Sequence, residues 1–245
     1  MRLTRVHVDA PMSPGMRLAL PADVAAHLLR TLRLGEGDAC VLFNGDGNDY
    51  DCRVTAAGKR GGEVEVLAAR AIDNESPLRI FLLQGVARGE KMDLVLQKAT
   101  ELGVAAIVPV TSERSEVRLD AARAEKRLAH WRGVVASACG QSGRAVLPPV
   151  SAPVGLAEAV ATLPADALRL SLDPDAAACV RGLADPGGRS VVIGIGPEGG
   201  WSPRDRAVLA AGGFEGLRLG PRILRTETAG LAAISALQAA FGDLA

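Results

Sequence analysis

Residues 191–195 read VVIGI, an unbroken apolar run in which every position but Gly194 is β-branched. A strand with one wet face would alternate polar and apolar residues, so this run suits a strand covered on both faces of a parallel sheet. It ends at Gly196-Pro197-Glu198-Gly199-Gly200. Ser202-Pro203-Arg204-Asp205 then supplies an N-cap hydroxyl, a proline at the first helical position and an acid three residues after the cap, which predicts a helix start. Strand, glycine turn and helix start in that order form a common ligand-binding arrangement.

The same alternation runs back along the chain. Residues 78–84, 105–110, 168–172 and 214–219 read as strands, and residues 91–102, 121–139, 156–163 and 228–241 as helices, with Gly103 stopping the first of these. Strands that alternate with helices predict a parallel sheet flanked by helices. Residues 140–153 read as a loop, and residues 176–183 fit neither pattern. The chain to about Arg70 differs. Residues 39–43 and 50–55 flank Asn44-Gly45-Asp46-Gly47, a hairpin signal, and Gly58-Lys59-Arg60-Gly61-Gly62 supplies a second turn before the alternating residues 63–67. Only residues 21–33 have helical spacing there. A small, mostly β, barrel-like domain follows. The polar stretch AIDNESP at 71–77, closed by proline, marks the junction, giving domains over 1–72 and 73–245.

Charge and cysteine usage narrow the function classes. Lys plus Arg and Asp plus Glu both number 28, so any nucleic-acid footprint must be local. Aromatic residues are 3% of the chain, which argues against a mode that stacks many exposed bases. Cys40, Cys52, Cys139 and Cys179 form no CxxC pair, and His7, His27 and His130 are scattered. No metal site is expected, and reduced thiols in a cytoplasm are the simplest reading. With no leader pattern and no apolar run of membrane-spanning length, the expectation is a soluble cytoplasmic protein with no membrane partner.

Gly194-Ile195-Gly196-Pro197-Glu198-Gly199 formally matches the dinucleotide fingerprint GxGxxG. It fits poorly, because too little chain follows for the later strands of such a fold and no acid stands at a convincing ribose position. A phosphate-binding P-loop is excluded, since no GK[ST] follows the glycines. Alone, such a turn needs glycine only to relieve crowding. Residues 219–229, LGPRILRTETA, add weight: another glycine at a strand end precedes Arg222, Arg225, Thr226, Glu227 and Thr228. A helix cap requires one such polar group, not all of them.

GPEGG followed by LGPRILRTETA resembles the SPOUT superfamily of trefoil-knotted methyltransferases, and specifically the bacterial family that methylates N3 of a uridine in 16S ribosomal RNA. Further matches are HLLRTLRLGEGD at 27–38, GDGNDY at 45–50, QKATELGV at 97–104, SERS at 112–115 and QSGR at 141–144, so the resemblance spans nearly the whole chain. It implies a PUA-like N-terminal RNA-binding β-barrel and a knotted α/β C-terminal domain whose final helix threads a preceding loop. It also implies S-adenosyl-L-methionine as cofactor, 16S ribosomal RNA or the small ribosomal subunit as partner, and a homodimer. Two positions depart from the family pattern: Trp201 stands where phenylalanine is usual, and Gly140 where an acid usually precedes QSGR.

The resemblance carries residue expectations. Leu172 at the end of the strand over 168–172, and Gly194, Ile195, Gly196, Pro197, Glu198 and Gly199 from the first loop region, are expected to hold the cofactor. From the second come Leu219, Gly220, Ile223, Leu224, Arg225, Thr226, Thr228 and Ala229. Uracil N3 is a weakly acidic imide that becomes nucleophilic when its proton leaves, and Arg225 is the cation expected to stabilise the resulting charge. Glu198 and Glu227 are the candidates to accept the proton or to orient that arginine, and the sequence leaves the two roles open. Arg2, Arg5, Arg17, Arg30 and Arg33 in the first domain, and Arg88, Lys91, Arg114, Arg118 and Arg144 in the second, are candidate RNA contacts. Arg123, Lys126, Arg127 and Arg132 read as a solvated helix face, and Trp131 as a packing residue. Rival readings are a methyltransferase acting on another RNA or base atom, and a non-catalytic RNA-binding assembly factor.

Overall fold

A computed structural model describes residues 3–58, 61–116 and 120–244. Arg2, Arg118 and the turn residues Lys59 and Arg60 lie outside the described residues. The chain divides into two compact units, Met1–Glu75 with Ala136–Leu147, and Ser76–Val135 with Pro148–Ala245.

The first unit is built on a five-stranded sheet of order β1-β3-β4-β5-β2, with β1 at Arg5–His7, β2 at Arg17–Ala19, β3 at Ala39–Phe43, β4 at Asn48–Gly58 and β5 at Gly61–Ala71. The β3–β4 hairpin turns through Gly45 and Gly47, both at φ 94°, a left-handed value that glycine adopts without steric cost. Val54, Val64 and Val66 point inward with Leu28, Leu42, Cys40 and Cys52 to form the core. Burial pushes the Cys40 thiol up to about 11 and the Cys52 thiol, which also feels Cys40 across the sheet, to about 12. The helical stretch expected over 21–33 is shorter and changes type. It begins as α1, Ala22–Ala25, widens to a π-helix over Ala26–Thr31, and closes beyond Leu32 on Arg33 at φ 60°.

Helix α3, Ala121–Ser142, runs past the loop boundary expected at Gly140. Glycine reads as a helix stop, but here it makes room. A Cβ at Gly140 would lie 3.2 Å from the Arg5 carbonyl oxygen. The Arg5 guanidinium donates to Asp49 Oδ1 at 2.8 Å, to the Cys139 carbonyl at 2.6 Å and to the Arg144 carbonyl at 2.8 Å, and stands 3.9 Å from the Phe43 ring centre. A cation at the last carbonyls of a helix is favourably placed against their negative end. Arg144 forms a two-point pair with Glu75.

The expectation that Arg5 and Arg144 meet RNA is therefore corrected. Their side chains are 6% and 5% exposed, so both charges are committed inside the fold. Removing one partner of a buried pair strands the other, at a cost of ~3–5 kcal/mol. Arg5→Ala should lose stability on that scale in urea unfolding, whereas Arg17→Ala, at a side chain 66% exposed, should change it by less than about 0.5 kcal/mol.

The second unit carries a six-stranded sheet of order β11-β9-β10-β6-β7-β8, every neighbouring pair parallel. The strands are β6 at Ile80–Gly85, β7 at Ala106–Thr111, β8 at Val154–Gly155, β9 at Leu168–Leu172, β10 at Val191–Ile195 and β11 at Glu215–Leu217. All five residues of β10 are buried, as its composition predicts. The remaining helices are α2 at Glu90–Glu101, α4 at Leu156–Thr162, α5 at Pro203–Ala211 and α6 at Thr226–Phe241. Trp131 is 1% exposed, a packing residue. The last strand is shorter than the expected 214–219, and α6 starts two residues before the expected Thr228.

The chain builds β6, β7 and β8 outward to one side of β10, then returns to place β9 and β11 on the other. In open parallel sheets that reversal opens a crevice at the carboxyl ends of the strands, where ligands bind. Both glycine loops emerge at that edge. α6 lies against α2, β10 and β6.

Candidate active site

A cavity of about 450 Å³ opens at the carboxyl ends of β9 and β10. Its wall includes Leu172 at the end of β9 and most of the residues singled out around the two loops: Ile195, Gly196, Pro197, Glu198, Gly199, Leu219, Gly220, Ile223, Leu224, Arg225, Thr226 and Ala229. Glu227, Lys91 and Arg114 line it as well. Gly194 and Thr228 do not. A Cβ at Gly194 would sit 3.3 Å from the Phe214 ring, so that glycine serves packing within β10, and Thr228 is exposed on the first turn of α6.

The two loops are joined by one hydroxyl. Thr226 Oγ1 donates to the Gly196 carbonyl at 2.6 Å and accepts from Gln84 Nε2 at 3.0 Å. Gln84 is fully buried at the end of β6, and its amide also donates to the Gly85 carbonyl at 2.9 Å. Gly85 itself lies so near the first loop that a Cβ there would stand 2.5 Å from Pro197 N. Gln84 and Gly85 are the residues the sequence reading missed. The only signal was an amide and a glycine ending an otherwise apolar strand.

Close approach governs the first loop as well. A Cβ at Gly196 would lie 3.1 Å from Gly200 Cα, and one at Gly199 3.1 Å from Arg114 Cβ. Gly200 turns at φ 65° and Gly220 at φ 71°, values that side chains disfavour. Arg114 donates to the Gly199 carbonyl at 3.0 Å, so this candidate RNA contact also braces the loop. Beyond it, Ser202 and Asp205 form the expected capping box, with Asp205 N–H to Ser202 Oγ at 3.0 Å and Ser202 N–H to Asp205 Oδ2 at 2.9 Å. Trp201 is 4% exposed, and its Nε1–H has no partner among the described residues. Buried donors are usually satisfied, and this one is left unspent in a residue that lines the cavity.

Charges gather at one side. Lys91 Nζ lies 3.4 Å from Glu198 Oε1 and 3.9 Å from Glu227 Oε2. Partial burial pushes the Glu198 carboxyl up, but hydrogen bonds from the Arg88 N–H and its own N–H, with Lys91, outweigh this and hold it below the usual range. Its contribution to stability is thus complete above the ordinary glutamate value and lost as pH falls through the depressed one. Arg225 is exposed at the rim, and its side chain makes no hydrogen bond or ion pair among the described residues.

Of the other basic candidates, Arg17, Arg30 and Arg33 are exposed on the first unit, and Arg88 is exposed but paired with Glu116. Among the described residues no group of three or more His, Cys, Asp or Glu side chains could hold a metal, and no helix is long and apolar enough to cross a membrane.

Comparison with known proteins agrees with this geometry. Residues 74–238 match an RNA methyltransferase domain, and residues 20–67 an RNA methyltransferase PUA domain. The chain is 32% identical over 235 residues to the ribosomal RNA small subunit methyltransferase E of Mycobacterium bovis, covering 94% of this chain and 89% of that protein. The crystal structure of a ribosomal RNA small subunit methyltransferase E from Neisseria gonorrhoeae, bound to S-adenosyl methionine, superposes with a TM-score of 0.92 at 40% identity and full coverage of both chains. A Legionella pneumophila protein described as a methyltransferase, solved with its cofactor, gives a TM-score of 0.95 at 36% identity, again with full coverage of both chains.

Proposed function

The chain belongs to the RNA methyltransferase family, with its associated PUA domain, and from that premise we propose that it transfers a methyl group from S-adenosylmethionine to N3 of a uridine in the 16S RNA of the small ribosomal subunit. The observation that carries this reading is the cavity walled by both loops, with Thr226 tying them together. About 450 Å³ lies within the range of small-ligand sites, and the wall suits the cofactor. Gly220 has nothing within 4 Å of its Cβ position, Gly196 and Gly199 form part of the wall, Ile223 and Leu224 offer apolar surface, and the Trp201 N–H is an unspent donor.

When bound, the cofactor supplies an electrophilic methyl group on a positively charged sulfur. What remains for the protein is to position the base, exclude water and manage one proton. Arg225, at the rim and unpaired, is placed to stabilise the negative charge that spreads over the uracil oxygens when N3 is deprotonated. Glu198 and Glu227 border the same space.

The domain over 1–72 is assigned to RNA holding as a PUA-like barrel, with Arg17, Arg30 and Arg33 among its exposed cations, and 73–245 to methyl transfer. The reading includes a homodimer acting in the cytoplasm and a last helix threaded through the preceding loop.

Methylation at N3 blocks the pairing edge of uracil, so reverse transcriptase should stop at the target in 16S RNA from cells that carry the gene and read through in cells that lack it. Identical stop patterns would remove the proposed substrate. Calorimetry should show one S-adenosylmethionine site per chain, and no heat at high micromolar protein would remove the cofactor.

A further inference from the structure

Lys91, Glu198 and Glu227 share the cavity wall, with one ammonium between two carboxylates. Fully ionised, the cluster carries one uncompensated negative charge and can take up one proton to become neutral. The two acids are not equivalent. Glu198 Oε1 already accepts from the Arg88 N–H at 3.1 Å and from Lys91, which ties the carboxylate to the start of α2. Its Oε2 is buried and unpartnered, but the group as a whole is anchored.

Glu227 is held differently. It stands in the first turn of α6, next to the hydroxyl that joins the two loops. Its side chain is 16% exposed, Lys91 at 3.9 Å is its ion-pair partner, and Oε2 is buried with no hydrogen bond among the described residues. Leaving a buried acceptor unsatisfied is unfavourable, and a bound N–H donor would relieve that. A uracil imide presents one such donor, flanked by two carbonyls.

Resting on the reading above, we propose that Glu227 removes the N3 proton of uracil, with Lys91 as the positioning residue that holds its carboxylate and Glu198 as the anchor for Lys91. The N3–H bond breaks and its electron pair stays on the ring, shared with the two carbonyl oxygens that face cationic Arg225. The proton passes to a Glu227 carboxylate oxygen, and the cluster becomes neutral. The N3 pair then forms the N–C bond as the C–S bond of the methyl donor breaks and its pair returns to sulfur. Glu227 releases its proton to water.

The test is single-turnover methylation of small subunits across a range of pH, with cofactor affinity by calorimetry for each variant. Glu227→Gln should lower the neutral-pH rate by ~100-fold or more and leave cofactor affinity within about threefold. Its residual rate should climb about tenfold per pH unit, because only imide already ionised in solution then reacts. Lys91→Gln should lower the single-turnover rate and Lys91→Arg, which keeps a cation beside the two carboxylates, should recover part of it; a lysine that only fills space would show no such rescue by charge.

A Glu227→Gln rate near wild type would overturn the assignment. So would the same loss and slope in Glu198→Gln with Glu227→Gln unaffected, which would transfer the role to Glu198. Loss of cofactor binding in both Glu227→Gln and Glu227→Asp would make Glu227 structural and also overturn it. Failure of the underlying function is separate: wild-type protein would then yield no N3-methyluridine, whatever the variants do.

Discussion

Arg225→Ala is expected to lower the rate of methyl transfer by ~100-fold or more while cofactor affinity changes only a few-fold. The residue offers two separable things. Its backbone carbonyl accepts from the Thr228 N–H at 2.9 Å and the Ala229 N–H at 2.8 Å, which starts α6, and alanine preserves both bonds. Its guanidinium is exposed at the cavity rim and spent on nothing else among the described residues, so its removal leaves no stranded partner and little cost in stability. What is lost is a cation facing the place where charge develops. An interaction made only in the transition state lowers the chemical rate and leaves ground-state affinity alone. Arg225→Lys should recover part of the rate, because a point charge restores the field without the two-point geometry. Unchanged single-turnover rates in Arg225→Ala, with calorimetry confirming a loaded site, would remove the arginine from catalysis.

Legibility in the sequence followed a physical division. Strand β10 and the start of α5 were readable because both depend on neighbours in sequence: a run with no polar residue must be covered on both faces, and Ser202 and Asp205 cap a helix within one turn. The two loops were readable as a pair, since polar groups beyond the needs of a cap stood in the second. What joins them was not. Gln84 and Gly85 act on residues more than a hundred positions away, and an amide at a strand end carries no local mark of that.

Arginines mislead for a related reason. Arg5 and Arg17 are alike in a charge count, yet one is enclosed among three carbonyl and carboxylate acceptors and the other faces solvent. Only the packed structure separates a structural cation from one free to meet phosphate. Gly140 shows the same limit, because a helix stop and a close-approach glycine look identical until the Arg5 carbonyl is seen beside it.

Gly85→Ala is expected to disturb the binding wall from the strand beneath it. The new Cβ would stand 2.5 Å from Pro197 N, 2.7 Å from Pro197 Cδ and 2.9 Å from the Gly196 carbonyl carbon. None of these is the flexible end of a side chain, so relief requires the loop or the end of β6 to move. Overpacking of this kind costs about 1–3 kcal/mol, and the displaced segment is the one that Thr226 and Gln84 hold in register. Cofactor affinity should therefore fall by at least about tenfold, the factor that corresponds to ~1.4 kcal/mol. Gly133→Ala is the matched control. Gly133 lies within α3, with nothing within 4 Å of its Cβ position, and glycine in a helix interior costs ~0.5–1 kcal/mol relative to alanine. The same substitution should then stabilise the protein and leave cofactor binding unchanged. If both variants shifted affinity alike, the effect would belong to glycine content and not to the crossing of β6 beneath the Gly196–Pro197 peptide. A fall in affinity confined to Gly85→Ala would locate the binding wall at that crossing.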